Sequence, residues 1–194
     1  MKKSNFFAFI SRMKYINRWG LMRNIKEENV SEHSLEVAVI AHALSIIQKK
    51  RLNMDINPEK TALYAIYHDS SEIFTGDLPT PVKYFNSTIK TAYKDVERSA
   101  SMKLLNMLPE DFYGEYENVL IPVEEEKDIW KTIKAADKIS AYIKCIEEEK
   151  SGNKEFIKAK QSILDEIKNM NRQDVDIFME EFIDGYNLTL DEME

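Results

Sequence analysis

Of the 194 residues only one is cysteine, so Cys145 has no partner for a disulfide within the chain. A reducing cytoplasm is the simplest compartment for such a protein. Glycine and proline are scarce, five of each, which argues for long regular elements and few turns. No apolar run approaches the roughly 20 residues that a membrane helix needs. Lys2 and Lys3 are not followed by the apolar stretch of a signal peptide. No membrane partner is therefore expected. Basic charge is also in deficit. The formal net charge is −7, which disfavours binding to nucleic acid polymers, where many phosphates must be neutralised. Runs of alternating β-type residues are missing too.

What is present reads as helices joined by short loops. The length suits one domain spanning 1–194 and is short for two. Ser4 is placed to cap a first helix with Phe6, Ile10 and Met13 on its apolar side. The period breaks around Asn17, Arg18, Trp19 and Gly20. Ser31 then caps a helix carrying two apolar stripes, Val37, Ile40, Leu44 and Ile47 on one side and Leu35, Val39 and Ile46 on another. Apolar on both sides, it should be central. Pro58 opens the next helix, which runs through Ala62, Leu63, Ile66 and Tyr67 to about Phe74 and stops at Gly76. The stretch Asp77-Leu78-Pro79-Thr80-Pro81 is too proline-rich to be helical. Further helices are expected over about 87–107, 125–150, 154–170 and 174–186. The fold class is all-α, a helical bundle.

The chain has three histidines, His33, His42 and His68. His68 adjoins Asp69 inside a mostly apolar helix, where an unpaired charge is very costly. A divalent metal or a salt bridge would satisfy it. On a helix, His68, Asp69 and Glu72 form one polar patch. His33 lies on the Val37, Ile40 and Leu44 stripe, whereas His42 faces roughly the opposite way and reads as an ordinary core or surface histidine. Asp137 sits among Ala135, Ala136 and Ile139, small enough to admit a neighbouring helix. By position alone it could equally pair with Lys134 or Lys138. Two imidazoles and two carboxylates together would suit a borderline divalent ion. Such an ion makes its bound water acidic enough to attack a phosphate ester, with Glu72 one turn away as general acid or base. Residues 1–26 contain no acid but carry Lys2, Lys3, Arg12, Lys14, Arg18, Arg23 and Lys26. They form either a solvated basic surface or a seat for a small anionic ligand.

His33, the His68-Asp69 pair and Asp137 resemble the H…HD…D signature of the HD superfamily. The likeness extends to Asn17-Arg18-Trp19, to the run from Glu28 to Leu35, to Tyr67-His68-Asp69, and to the loop from Thr75 to Asn86 that includes Tyr84. It takes in Lys134 to Asp137 and Leu188 to Glu192 as well. Together these are similar to the bacterial 5′-deoxynucleotidases of YfbR type. That resemblance implies an HD-domain helical bundle in which His33, His68, Asp69 and Asp137 hold one divalent transition metal, cobalt, manganese or similar. Glu72 and Asp77 would be catalytic, Glu72 for the attacking water and Asp77 for the leaving group. Arg18, Trp19, Asp69, Asp77, Leu78, Pro79, Thr80 and Asp137 would meet the substrate, a deoxyribonucleoside 5′-monophosphate. Arg18 and Trp19 would favour deoxyribose over ribose. The resemblance further implies a homodimer. Two rival readings remain at this point. One is another HD phosphohydrolase acting on a triphosphate or cyclic nucleotide. The other is a metal-stabilised nucleotide sensor without turnover.

Overall fold

The structure is a computed structural model describing residues 3–83 and 85–193, with the side chain of Thr80 also left out. The sequence-based readings that fall on Lys2, Tyr84 and the Thr80 side chain lie outside the described residues. Ten α-helices are described, joined by loops and short 3-10 turns. They are α1 (Phe6–Ile10), α2 (Val30–Arg51), α3 (Pro58–Tyr67), α4 (Glu72–Thr75), α5 (Thr80–Lys83), α6 (Ser87–Leu105), α7 (Glu110–Leu120), α8 (Lys127–Lys150), α9 (Ile157–Asn169) and α10 (Gln173–Phe182). Among the described residues there is no strand, only one isolated bridge between Asn17 and Asn29. The all-α expectation is met.

Helix α2 is the hub, packing against α3, α8 and α10. Val37, Ile40, Leu44 and Ile47 are all buried on it. They join Ile133, Ile139, Ile143 and Ile146 of α8 in the main core, with Ile163, Ile167, Val175 and Phe178 from the last two helices. A second, smaller core gathers Phe6, Leu104, Leu105, Leu108 and Leu120. Tyr67 touches both clusters, at the end of α3.

Several local expectations are corrected. Asn29 rather than Ser31 caps α2. Its side chain accepts from Ser31 N–H and Glu32 N–H, and Glu32 returns to the Asn29 N–H in a capping box. Ser4 is not the N-cap of α1, although its Oγ accepts from Phe6 N–H at 3.2 Å. The second stripe of α2 is not core, since Leu35 and Val39 are more than 60% exposed (64% and 63%). Val30–Arg51 is long and apolar enough to cross a membrane by length and composition, contrary to the reading of short apolar runs. More than half of its apolar window (56%) is buried in the fold, as befits a core helix. On α3 the buried positions are Pro58, Thr61, Tyr64 and Ala65, with Leu63 and Ile66 exposed. The prolines after Asp77 do not prevent helix everywhere, because Pro81 sits in the first turn of α5, where its missing N–H is not needed.

The largest correction concerns 68–75. The helix does not run through to Phe74. After Tyr67 the bonds shorten to the i to i+3 pattern: Ser70 N–H donates to Tyr67 O, Glu72 N–H to Asp69 O and Ile73 N–H to Ser70 O. Only then does α4 form, ended by Gly76 at φ 69°, a left-handed conformation that glycine adopts cheaply. This tightened turn lies at the boundary of the two cores and carries His68, Asp69 and Glu72 together.

Candidate metal centre

Three segments meet at this turn. Helix α2 delivers His33 from its first turn, the 68–71 turn delivers His68 and Asp69, and α8 delivers Asp137 from its middle. His33 Nε2 lies 3.1 Å from Asp137 Oδ1 and 3.5 Å from Asp69 Oδ2. His68 Nε2 is 3.1 Å from the same Asp69 oxygen. His33, His68 and Asp69 thus place one potential ligand atom each within 4.8 Å of one another, with Asp137 joined through His33. Asp137 does not pair with a lysine of its own helix, and Lys138 instead reaches Glu166 at 2.7 Å. His42 is exposed on α2, away from the cluster.

The imidazoles are oriented by their far nitrogens. His68 Nδ1 meets the Ala65 carbonyl at 2.7 Å, and a carbonyl only accepts, so this nitrogen carries the proton. His33 Nδ1 is 3.1 Å from Ser140 Oγ, whose own proton goes to Glu36 Oε2 at 2.5 Å. The serine oxygen is therefore the acceptor and His33 Nδ1 the donor. In its neutral form each ring then presents an Nε2 lone pair to the same small space. Both Nε2 atoms are buried without a hydrogen-bond partner, yet both face carboxylate oxygens. Lone pair facing anion is repulsive unless positive charge, a proton or a metal ion, lies between them.

Charge completes the case. Glu28, Asp69, Glu72, Asp77 and Asp137 crowd around the guanidinium of Arg18, with Lys83 adding its field at Glu72. Arg18 Nη1 donates to Asp69 at 3.3 Å, Nη2 is 3.9 Å from Asp137 and Nε is 3.5 Å from Glu28. Burial and the Arg18 charge both oppose protonation of His33. The nearby carboxylates of Asp137 and Glu28 outweigh them and push it up to about 9. Burial works to raise Asp69, but His68, His33 and Arg18 hold its carboxyl well below the usual range. Asp137 is likewise drawn down by His33 and Arg18 against its burial. Groups with this appetite for positive charge suit a divalent cation bound by two imidazoles and two carboxylates.

Glu72 behaves oppositely. It is buried, and its Oε2 has no hydrogen-bond partner. Burial, then the charges of Asp69 and Asp77, push its carboxyl up to about 10 against smaller pulls from Arg18 and Lys83. Asp77, just after Gly76, accepts the Trp19 N–H at 3.2 Å and so ties the 17–20 loop to the 77–79 loop. Trp19 itself has φ 59°, a left-handed conformation that costs a bulky residue on the order of 1–3 kcal/mol. Contacts on every side hold it there. Its indole N–H donates to Glu28 at 2.9 Å, its carbonyl accepts from Met22 N–H at 2.8 Å, and its ring packs on Phe156.

The structure thus brings together His33, His68, Asp69, Asp137, Arg18 and Glu72, with Asp77 and Trp19 at the rim. Leu78 and Pro79 follow Asp77 as half-buried loop residues, and the Pro79 carbonyl accepts from Val82 and Lys83 to start α5. Sequence reasoning missed Glu28, Glu36, Ser140 and Lys83. Two of these had a signal. Glu36 lies three residues past His33 and Ser140 three past Asp137, each one helical turn from a candidate ligand. Glu28 and Lys83 sit in or beside loops and had none.

A family model described as 5′-deoxynucleotidase YfbR-like matches residues 5–186. The 5′-deoxynucleotidase of Cronobacter sakazakii is 47% identical over 193 residues, covering 100% of this chain and 97% of that protein. The 5′-deoxynucleotidase YfbR of Escherichia coli O1:K1 is 48% identical over 200 residues, covering 100% and 97%. Among solved structures, an HD-domain phosphohydrolase from Listeria innocua superposes with a TM-score of 0.79 at 25% identity, covering 94% of this chain and 88% of that one. The cyanophage S-2L HD phosphohydrolase DatZ, bound to dA and one catalytic Zn2+ ion, superposes at 0.64 with 17% identity. It covers 95% of this chain and 98% of its own, a likeness of fold alone.

Proposed function

The chain belongs to the 5′-deoxynucleotidase YfbR-like family, and from that premise we propose how its residues hydrolyse deoxyribonucleoside 5′-monophosphates to deoxyribonucleoside and phosphate. The all-α fold is the HD-domain helical bundle, and we read it as a single domain over 1–194. The observation that carries the mechanism is the pair of buried, unpartnered Nε2 atoms of His33 and His68 facing the Asp69 and Asp137 carboxylates. These four residues would hold one divalent transition metal. When bound, such an ion acidifies a water and neutralises charge on a phosphoryl group. The donor set accepts cobalt, manganese or zinc, and the catalytic Zn2+ named for the DatZ structure supports an ion of this class.

The chain's own groups supply the rest. In the reaction the bond between phosphorus and the 5′-oxygen breaks, and one between phosphorus and a water oxygen forms. Arg18 offers a planar fork of donors for the phosphoryl oxygens. Substrate phosphate would take over the role that Asp69 and Asp137 now share as its partners. Glu72 takes the proton of the attacking water: burial and the charges of Asp69 and Asp77 favour its protonated form, and a cation held by Asp69 would offset that charge and free the carboxylate to accept. Asp77, at the rim, serves the departing 5′-oxygen. Trp19, Leu78 and Pro79 line the nucleoside side, and the family resemblance assigns Thr80 to the same task. The left-handed Trp19, fixed by Asp77 and Glu28, is a rigid wall of the kind that rejects a 2′-hydroxyl.

The remaining assignments are proposals of the same reading. The protein acts in the cytoplasm, without membrane or nucleic acid polymer, and as a homodimer. The exposed Leu35 and Val39 on α2 support a self-association surface.

Turnover separates this reading from its rivals. With dAMP, dATP and a cyclic nucleotide supplied in parallel to the cobalt-loaded protein, inorganic phosphate should appear from dAMP only. Hydrolysis of dATP in preference to dAMP would move the protein to a different substrate class. Nucleotide binding without any product would make it a sensor.

A further inference from the structure

Helices α2 and α8 each carry one of the proposed ligands and, one turn further on, a residue to which no role has been given. His33 is followed by Glu36 and Asp137 by Ser140. The side chains of Glu36 and Ser140 meet each other behind His33, on the side away from Asp69 and Asp137. Ser140 is fully buried, His33 is 1% exposed, and the chain of contacts runs His33 Nδ1 to Ser140 Oγ at 3.1 Å and Ser140 Oγ to Glu36 Oε2 at 2.5 Å. Ser140 has one proton, and the carboxylate claims it. The serine oxygen can then only accept from His33. Glu28 Oε1 lies 3.7 Å from the same imidazole nitrogen, near enough for charge attraction but too far for a hydrogen bond. Glu36 also lines a cavity of about 270 Å³ with Glu27, Glu28, Glu32, Glu147, Lys26 and Lys144.

We propose that Ser140 and Glu36 are positioning residues for the metal site, a hydroxyl–carboxylate relay that fixes the Nδ1–H form of His33 and aims its Nε2 lone pair at the ion. The inference rests on the reading of His33 as a ligand. A histidine ligand whose outer nitrogen is hydrogen-bonded is pre-oriented and more basic, and loss of such a partner typically weakens metal binding about 10- to 100-fold. His68 needs no side-chain relay, since the Ala65 carbonyl performs the same task at 2.7 Å. His33, in the first turn of α2, has its Nδ1 against the Ser140 hydroxyl rather than a carbonyl. The chain supplies a hydroxyl from the neighbouring helix instead.

The test is a calorimetric titration of Co2+ into metal-stripped protein, comparing wild type with Ser140→Ala, Glu36→Ala, Glu36→Gln and Ser45→Ala. Ser45 is an equally buried serine of α2, but its hydroxyl only returns to the Ala41 carbonyl at 2.9 Å, so its variant controls for loss of a core hydroxyl. Ser140→Ala should weaken Co2+ binding about 10- to 100-fold, while Ser45→Ala leaves it unchanged. Glu36→Ala should weaken binding, and Glu36→Gln, which keeps an oxygen to accept the serine proton, should recover much of the loss. In zinc-loaded protein the His33 Nδ1–H should exchange slowly with solvent in NMR spectra, and faster in Ser140→Ala. If Ser140→Ala does not fold, the two Glu36 variants decide the matter. Wild-type affinity in Ser140→Ala, or equal affinity in Glu36→Ala and Glu36→Gln, overturns the relay while leaving the metal site standing. Failure of wild type to bind Co2+ instead overturns the metal reading on which the relay depends.

Discussion

Glu72 is held in a surrounding that no surface carboxylate would tolerate, buried beside Asp69 and Asp77 with one oxygen unpaired. Such an arrangement is costly for folding and is retained where chemistry uses it. Glu72→Ala should lower kcat by about 10²–10⁴-fold with the metal content unchanged, because Glu72 is not among the proposed ligands. Metal analysis and phosphate-release kinetics on one preparation check both halves. Arg18 and Trp19 have separable tasks. Arg18→Ala removes the guanidinium that bridges Glu28, Asp69 and Asp137 and should cut kcat/KM for dAMP by about 100-fold or more. Trp19→Ala should mainly bring the rates on dAMP and AMP closer together. If that ratio stays at its wild-type value, Trp19 plays no part in sugar selection.

Among the elements, the loop 17–28 is the one whose position needs explaining, since it carries Arg18 and Trp19 with almost no regular structure. Helix α8 secures it from below. Glu148, 1% exposed, accepts from Ile25 N–H at 2.9 Å, Lys26 N–H at 3.2 Å, Asn153 Nδ2 at 2.7 Å and Lys144 Nζ at 2.5 Å. Lys144 in turn donates to the Lys26 carbonyl. Glu148→Gln leaves these donors without a charged acceptor and should cost on the order of 2–4 kcal/mol at neutral pH. Burial opposes ionisation of Glu148, but its donors win and draw it down from 4.5 to about 2. A lowered folded-state value means that its stabilisation is complete above pH 4.5 and fades as pH falls toward about 2. Urea melts should therefore show a wide gap between wild type and Glu148→Gln at neutral pH, narrowing in acid. A gap independent of pH would show that charge on Glu148 is not what holds the loop. The helices themselves were legible in the sequence because apolar spacing on α2 and α8 is dictated by the core they share. The break after Tyr67 was not, because nothing in His68-Asp69-Ser70-Ser71 forbids α-helix and only packing at the junction of the two cores tightens it. The proposed ligands were recognisable by type and order. The tautomer of His33 was not, since it depends on Ser140, 107 residues away in sequence.

On the scale of the whole molecule, the proposed ligand set ties the central helix α2, the junction of the two cores and α8 into one cluster rich in negative charge. An ion there neutralises that charge in the folded state only, and so stabilises the fold by mass action. At a free metal concentration near 100 times Kd the gain is about 2.7 kcal/mol, which for a chain of this size raises Tm by roughly 5–10 °C. Thermal melts with chelator and with Co2+ should differ by that much, and the difference should shrink in a His33→Ala variant. The decisive measurement joins this site to the reaction: phosphate release from dAMP and AMP, side by side, by metal-stripped protein and by the same protein given Co2+ or Mn2+. The account predicts no release without metal, ready release from dAMP once metal is restored, and little from AMP. Metal-independent release, or no release from dAMP in the metal-loaded protein, would contradict it.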